Sequence, residues 1–570
     1  MPLTRPGPPR PPQTERTPPA PRDASGGRAP VVRAKAPGPG EPTLRALRWE
    51  ALLGDPDDPA NPYGRAALAA GDPPRPDPAW GPLVPEAADG YGGPADQLVR
   101  VLRPLLRRDA ALADDWVIRP LLTAAANPPA GEPRAAVGYR ARLAELLGPA
   151  ALIAATGDLL RTTVRLLTAP ATPHPGARQW RPVLAAVFAD LLACESLTTV
   201  ALRALRMPAG SGAGVCGGAG VVSGVYGISG VSGVPGASGT SGAPGAPGKP
   251  AGSGAPRAFG VSGAAGVPAG SGAADAAGTQ DDDAAVLPAV VGYVVPHLVG
   301  GLLGDLELVL NDSLSGPAAG EREALARQSA LRTAARVDRT AMASAQARLI
   351  RLLPRLADSS EQPDHPGEPE QPVRPVPPGP STPPAPSTPP GNLERPPLRE
   401  LFRLGAPDAS GGGGGEEASA PLDTAALDTA ALAAVLPGAA GRPARAGDGP
   451  ARAALTRYAR RLATEQRALR GPSRSAAAAS DPAARALADR QALLLLAAAV
   501  LGVQEAAAQA QGGFLGGCDW ALLALERVIR RLGVPLPGGA PDPGGAVWTE
   551  LAERIQRGVD CDVYGTRLLW

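Results

Sequence analysis

The side chains able to do chemistry are sparse in this sequence, and their spacing matches no self-contained reaction centre. Cys194, Cys216, Cys518 and Cys561 lack metal-ligand spacing and are too few for a dense disulfide framework. Cys194 lies inside a helical apolar pattern with no base near it in sequence, so it reads as a small buried hydrophobe and not as a nucleophile. Asp281, Asp282 and Asp283 are adjacent, so their carboxylates diverge and lack the alternating spacing of a calcium loop. They read as a solvated boundary, and no metal site is expected. His297 reads as a packed or capping histidine in preference to a base. The carboxylates Glu321, Glu323 and Asp338 are candidate bases, but on an Arg-rich helix they read as ordinary solvated charges. No catalytic or cofactor-binding residue is assigned.

The elements that must position any site are helical. In DQLVRVLRPLLRRDAAL, residues Leu98, Val101, Leu102, Leu105 and Leu106 fall at i, i+3, i+4, i+7 and i+8, one face of a helix, with Pro104 predicting a kink or break. Helices are expected at Ala135–Leu147 and, beyond Pro149, at Leu152–Leu167, with Thr156 and Asp158 as alternative start signals. The strongest pattern is Trp180–Met207, bounded by Pro182 and Pro208. A short strand is conceivable at Val290–Val295, but the length of the surrounding run favours helix. Glu321–Leu353 reads as one or two long helices, followed by Ala453–Leu469, Asp481–Ala508, Trp520–Leu532 and Val547–Gln556.

These patterns divide the chain into a Pro-rich disordered tail (1–42), a helical region with the first bundle helices (43–208), a Gly-rich low-complexity insert (209–283), further bundle helices (284–357), a Pro-rich linker (358–392) and a helical C-terminal extension (393–570). With 72 Gly and 70 Pro among 570 residues, only the helical blocks have the side chains to build a core. The fold class expected is mainly α, a helical bundle with long linkers. From Gly224 to Pro250 glycine recurs at every third position, as collagen requires, but proline is sparse there, so a flexible linker is favoured over a trimerisation stem.

A net charge of +2 with interspersed signs lacks the one-sided basic patch of a nucleic-acid-binding protein. The N-terminal stretch has no apolar core and is not a secretory signal. The run Ala492–Val503 is shorter than the ~20 residues a spanning helix needs. Val286–Leu303 is interrupted by Pro288, Pro296 and His297. No membrane span is therefore expected, and a reduced cytoplasmic protein is the plain reading.

Several phrases in order, RWEALLGDPDDPANPYG, LVRVLRPLLRRDAAL, DLLACESLTTVALRALRM, VVPHLVGGLLGDLELVL, SAQARLIRLLPRLA, LRELFRLG, LADRQALLLLAAAVLGV and GVDCDVYGTRLLW, resemble the acyl-CoA dehydrogenase family. The likeness is to long actinomycete forms with a helical C-terminal extension. It implies an N-terminal helical domain, a middle antiparallel β-domain and a C-terminal four-helix bundle. It also implies FAD held between β-domain and bundle, with a glutamate taking the α-proton of an acyl thioester while the flavin accepts the β-hydride. The chain departs from the pattern where the β-domain belongs. The blocks ending near Leu147 and starting near Leu152 are separated only by GPAA, and no alternating β-branched run replaces the domain. Neither Glu321 nor Glu323 nor Asp338 sits in a motif equivalent to the family's base. The resemblance thus implies a degenerate dehydrogenase, or one completed by a partner subunit in a homo- or hetero-oligomer. A non-catalytic helical interaction or scaffold protein that binds a family enzyme or an acyl thioester is the alternative. A glycine-repeat interaction protein is a third reading. Trp180–Met207, Val286–Leu310 and Glu321–Leu353 are expected to form the core and a dimer face.

Overall fold

The computed structural model describes residues 41–70, 95–128, 134–168, 177–205, 286–312, 319–337, 339–359, 402, 424–442, 449–476, 480–510 and 513–570. Residues 1–40 of the tail, the Gly-rich insert, residues 360–392 of the Pro-rich linker, Cys216, the Asp281–Asp283 triplet and Asp338 lie outside the described residues, whereas 41–42 begin α1 and 358–359 end α10. Among those described there is no strand, only an isolated antiparallel bridge between Val559 and Arg567, and the architecture is a helical bundle.

The first helices are α1 (Glu41–Leu53), α2 (Arg65–Ala69), α3 (Ala95–Arg108) and α4 (Ala110–Ala113). A π-helical turn at Asp114–Ile118 leads into α5 (Arg119–Ala126). The long helices are α6 (Arg134–Thr168), α7 (Ala177–Ala204), α8 (Val286–Asn311), α9 (Ala319–Val337) and α10 (Arg339–Ser359). The C-terminal part holds α11 (Thr424–Ala440), α12 (Pro450–Arg474), α13 (Pro482–Gln509), α14 (Gly513–Gly516), α15 (Asp519–Arg531) and α16 (Gly544–Gln556). Local chemistry fixes several starts. Pro450 and Pro482 open their helices where the missing N–H costs nothing, and Asp481 caps α13 by accepting from the Ala483 N–H at 2.9 Å.

The organising element is α7. Leu184, Val187, Phe188, Leu191, Leu192, Leu197 and Val200 are all fully buried, and the helix packs against α3, α6, α8, α13, α15 and α16. A helix apolar on all sides belongs in the interior, and each such leucine contributes about 1.5–3 kcal/mol by leaving water. The sequence patterns thus place the core correctly in Trp180–Met207 and Val286–Leu310.

Three local expectations are corrected. Residues 135–167 fall in one helix, the 35-residue Arg134–Thr168, not two, and Pro149 lies within it. Leu146, Leu147, Ala150 and Ala151 are buried on both sides of the junction, and this packing outweighs the ~3 kcal/mol cost of an interior proline. Thr156 and Asp158 are consequently not helix starts. The Thr156 hydroxyl donates to the Leu152 carbonyl at 2.7 Å, and Asp158 enters ion pairs. Pro104 likewise does not end α3, and Pro288, Pro296 and His297 do not interrupt α8. Pro288 falls in the first turn of α8, where no intrahelical donor is needed, so Val290–Val295 is helix.

The uninterrupted lengths matter for the membrane question. Among the described residues four helices, α6, α7, α8 and α13, are long and apolar enough to cross a bilayer by length and composition, the uninterrupted helices being longer than the runs read from the sequence. Between 72% and 94% of their most apolar stretches is covered by the rest of the protein, so their apolar surface is used in helix–helix packing.

One small contact ties Phe402 to the bundle. Phe402 is fully buried, and a methyl group built on Gly502 of α13 would overlap its ring. Glycine is required there to let the aromatic face reach the helix backbone. Gly502→Ala is expected to lower stability by about 1–3 kcal/mol through overpacking. In a Phe402→Ala background the same change should cost nearly nothing. A double-mutant cycle by chemical denaturation checks this, and additive losses would refute the contact.

Candidate functional site

The strongest concentration of charge lies in the interior, where α1, α3 and α7 meet the loop after α16. Arg103 is its centre. Its Nη1 donates to Glu195 on α7, and its Nε donates to Asp560 Oδ2 at 2.8 Å and lies 3.6 Å from Asp562 Oδ2. One turn along α3, Arg107 donates to the same Asp560 oxygen at 3.0 Å and to Glu50 Oε2 at 2.5 Å. The four central groups are almost solvent-free: Arg103 is 3% exposed, Glu195 5%, and Asp560 and Asp562 both 0%. At that depth a lone charge costs several kcal/mol, so each of these groups persists only because the others compensate it.

The loop 558–568 is shaped to deliver its two aspartates. Gly558 and Gly565 adopt positive φ of 62° and 59°, and the backbone pairs Asp560 N–Thr566 O and Leu568 N–Gly558 O, both 2.8 Å, pinch it closed. Asp562 accepts from the Thr566 N–H and hydroxyl at 2.9 and 2.6 Å, and Asp560 Oδ1 accepts from the Cys561 N–H at 2.7 Å. The Val563 N–H donates to Glu195 Oε2 at 3.1 Å. Arg554 of α16 donates to the Asp562 carbonyl at 2.5 Å while its guanidinium lies over the stacked rings of Phe188 and Phe514. Farther along, Arg161 of α6 reaches the Trp570 carbonyl at 2.9 Å, and the Trp570 indole N–H reaches the Glu50 carbonyl at 3.3 Å.

The electrostatics follow from three carboxylates sharing Arg103. Burial, partly opposed by Arg103 and reinforced by Asp562 and Asp560, pushes the Glu195 carboxyl up to about 8. Asp560 goes the other way. Burial would raise it, but Arg103 and Arg107 outweigh burial and hold it below the usual carboxylate range. Asp158, paired with Arg327 of α9 at 2.5 Å and 3.6 Å from Arg65 of α2, is also held low because the arginines outweigh burial.

The residues singled out from the sequence are scattered elsewhere. Cys194 is fully buried, and burial pushes its thiol far up, in keeping with a hydrophobic role; Cys561 is buried with its thiol pushed up to about 12, and Cys518 is half-buried. His297 is exposed in mid-helix, so it neither packs nor caps, which corrects the expectation. Glu321 is half-buried and Glu323 exposed on α9, away from the Arg103 cluster. The cluster itself was not assembled from the sequence. Its members lie in four of the quoted phrases, RWEALLGDPDDPANPYG, LVRVLRPLLRRDAAL, DLLACESLTTVALRALRM and GVDCDVYGTRLLW, but Arg103 and Asp560 are 457 positions apart. Within GVDCDVYG, two acids flanking an apolar-patterned cysteine are the one visible signal of buried charge.

Chemically the arrangement is closed. The cavity beside Glu195 and Tyr564 has a volume of about 10 Å³, and so has that beneath Glu50 and Asp560; a third, near Arg442 and Glu505, has about 20 Å³. Spaces of this size admit a water molecule, whereas FAD or an acyl thioester is many times larger. At these cavities the described residues do not fit a flavin: no strand supplies a β-wall, the spaces are too small, and most polar groups at the cluster are taken up by one another. Among the described residues no group of His, Cys, Asp and Glu has metal-binding geometry. Compared with known proteins, the chain matches no family model, no curated protein and no solved structure.

Two outcomes follow from the cluster. Arg103→Met leaves Glu195, Asp560 and Asp562 uncompensated, and unfolding free energy should fall by about 3–5 kcal/mol in denaturant titration; a loss under ~1 kcal/mol would place the group in solvent. The pH response has a defined sign. A carboxyl raised in the folded state contributes stability that is complete below its ordinary value of 4.5 and is lost as pH rises through about 8. Melting temperature should therefore decline between pH 5 and 8, with Glu195→Gln flattening that decline. Asp560 and Asp158, both depressed, act oppositely, and their contribution is lost as pH falls below the usual carboxylate range.

Proposed function

We propose that this chain is a non-catalytic helical interaction protein, related to the helical parts of an acyl-CoA dehydrogenase from which the flavin-bearing β-domain has been lost. The reading rests above all on α6. Gly148–Ala151, the point at which the family resemblance would insert the β-domain, sits in the middle of one unbroken helix of 35 residues. Such a helix leaves no chain ends from which a domain would emerge. A second support is that Arg103 is met by the protein's own Asp560 and Asp562, and the cavity beside them is far smaller than a substrate. The partner on this reading is a dehydrogenase-family subunit or a second copy of the chain, with a carrier-bound acyl chain as a further ligand class.

A second reading retains α,β-desaturation of an acyl thioester, with a partner subunit supplying the flavin site. The packed pair α7 and α8 favours it, because these two apolar helices correspond to phrases that carry the resemblance. The visible absorbance of the purified full chain, alone and after incubation with FAD followed by gel filtration, separates the two. The interaction-protein reading expects no protein-bound flavin. A stoichiometric flavin spectrum travelling with the protein would overturn it.

A further inference from the structure

A small, largely apolar-walled cavity lies between α3, α6, α7 and the loop after α16, with Arg103 and its partner Glu195 among the polar groups in its wall. Its volume is about 10 Å³, and Asp96, Arg103, Glu195, Thr199 and Tyr564 contribute to its wall. Two charged side chains there are only partly satisfied. Asp96 uses Oδ2 to accept from Arg203 Nε at 2.8 Å, but its Oδ1 is buried with no hydrogen-bond partner. Arg103 spends Nε and Nη1 on carboxylates, while its Nη2 is buried and makes no hydrogen bond. The Tyr564 hydroxyl lies beside the Thr199 side chain without a hydrogen bond of good geometry, and Arg100 lies over its ring at 5.1 Å. Asp96 and Arg103 are 2% and 3% exposed, so bulk solvent does not serve them.

Leaving a charged acceptor and a charged donor unmatched in the interior is among the costliest defects a fold can carry. The chemistry of the three atoms restricts what relieves it. Asp96 Oδ1 needs a donor, Arg103 Nη2 needs an acceptor, and a phenol serves as either. A halide cannot donate to Asp96, and an ammonium ion cannot accept from Arg103. The guest must donate and accept at once and fit a space of one small molecule. We propose that this cavity is an internal hydration site holding a single ordered water, which donates to Asp96 Oδ1, accepts from Arg103 Nη2 and bonds the Tyr564 hydroxyl. Three partners is the usual complement of a buried water. The water is then a structural ligand of the loop after α16, joining Tyr564 of that loop to Asp96 and Arg103 of α3.

The test is a high-resolution crystal structure of the full chain, with a Tyr564→Phe variant studied alongside. The expected result is one solvent peak within hydrogen-bond distance of both Asp96 Oδ1 and Arg103 Nη2. An empty cavity, or either atom turned onto a protein partner, would overturn the proposal. The variant reads the same question by sign. In a Thr199→Val background, which removes the neighbouring side-chain hydroxyl, loss of a hydroxyl bonded to a trapped water lowers the melting temperature. If the hydroxyl lies unpaired in a dry void, its removal leaves the melting temperature unchanged or raises it, and the hydration site is refuted.

Discussion

A buried guanidinium is the constraint around which the described bundle is arranged. Arg103 sits where water cannot solvate it, so its charge is tolerable only with carboxylates at bonding distance. Glu195 reaches it from α7, and Asp560 and Asp562 from the loop after α16, while Arg107 and Glu50 extend the same set to α1. Four separate stretches of chain must therefore arrive in register to within a hydrogen-bond length. Apolar packing around α7 supplies most of the attraction but little directional information, because leucines on adjacent turns are nearly interchangeable. The ion cluster supplies what packing lacks, a single arrangement in which each arginine faces carboxylates at bonding distance. Smaller sets repeat the pattern at the periphery, with Asp190 of α7 taking Arg527 and Arg531 of α15, and Tyr293, Gln346 and Asp489 linking α8, α10 and α13.

The closed interior bears directly on function. A reaction centre needs convergent polar groups that remain unpaired until a substrate arrives, and a cleft in which to receive it. Here convergence is present without the cleft, since the loop after α16 delivers its own acids into the place a ligand would take. Continuity of α6 through Gly148–Ala151 acts in the same direction, joining two helical blocks directly where the family resemblance calls for an intervening domain.

Much of the fold was legible because helical periodicity is a local property. Leu98–Leu106, Trp180–Met207 and Asp481–Ala508 carry their own evidence within a few turns, and each is a helix close to the expected limits. Proline misled in both directions. Pro149, Pro104 and Pro296 look like boundaries in one dimension, yet buried neighbours on either side hold the helix through them. α11 passed unnoticed because its run of alanines has no distinct polar face. The charge cluster was illegible for a different reason. Arginine is abundant and mostly superficial in this sequence, so nothing local separates Arg103 from its neighbours. Its partners are identified only by a fold that joins positions 103, 195 and 560.

The separation of those positions also sets an order of events during synthesis. Arg103 and Arg107 leave the ribosome with Glu50 already made, and Glu195 follows within 92 residues, so two neutral pairs can form early. Asp560 comes 457 residues after Arg103, on the order of half a minute or more of translation at roughly 5–20 residues per second. For that interval the nascent bundle keeps an open mouth beside α3 and α7, with apolar walls exposed. Long-range closure of this kind is slow and leaves the partly made chain prone to mispairing. A cell that makes this protein in quantity therefore has reason to shield the mouth with a chaperone until the acidic loop arrives.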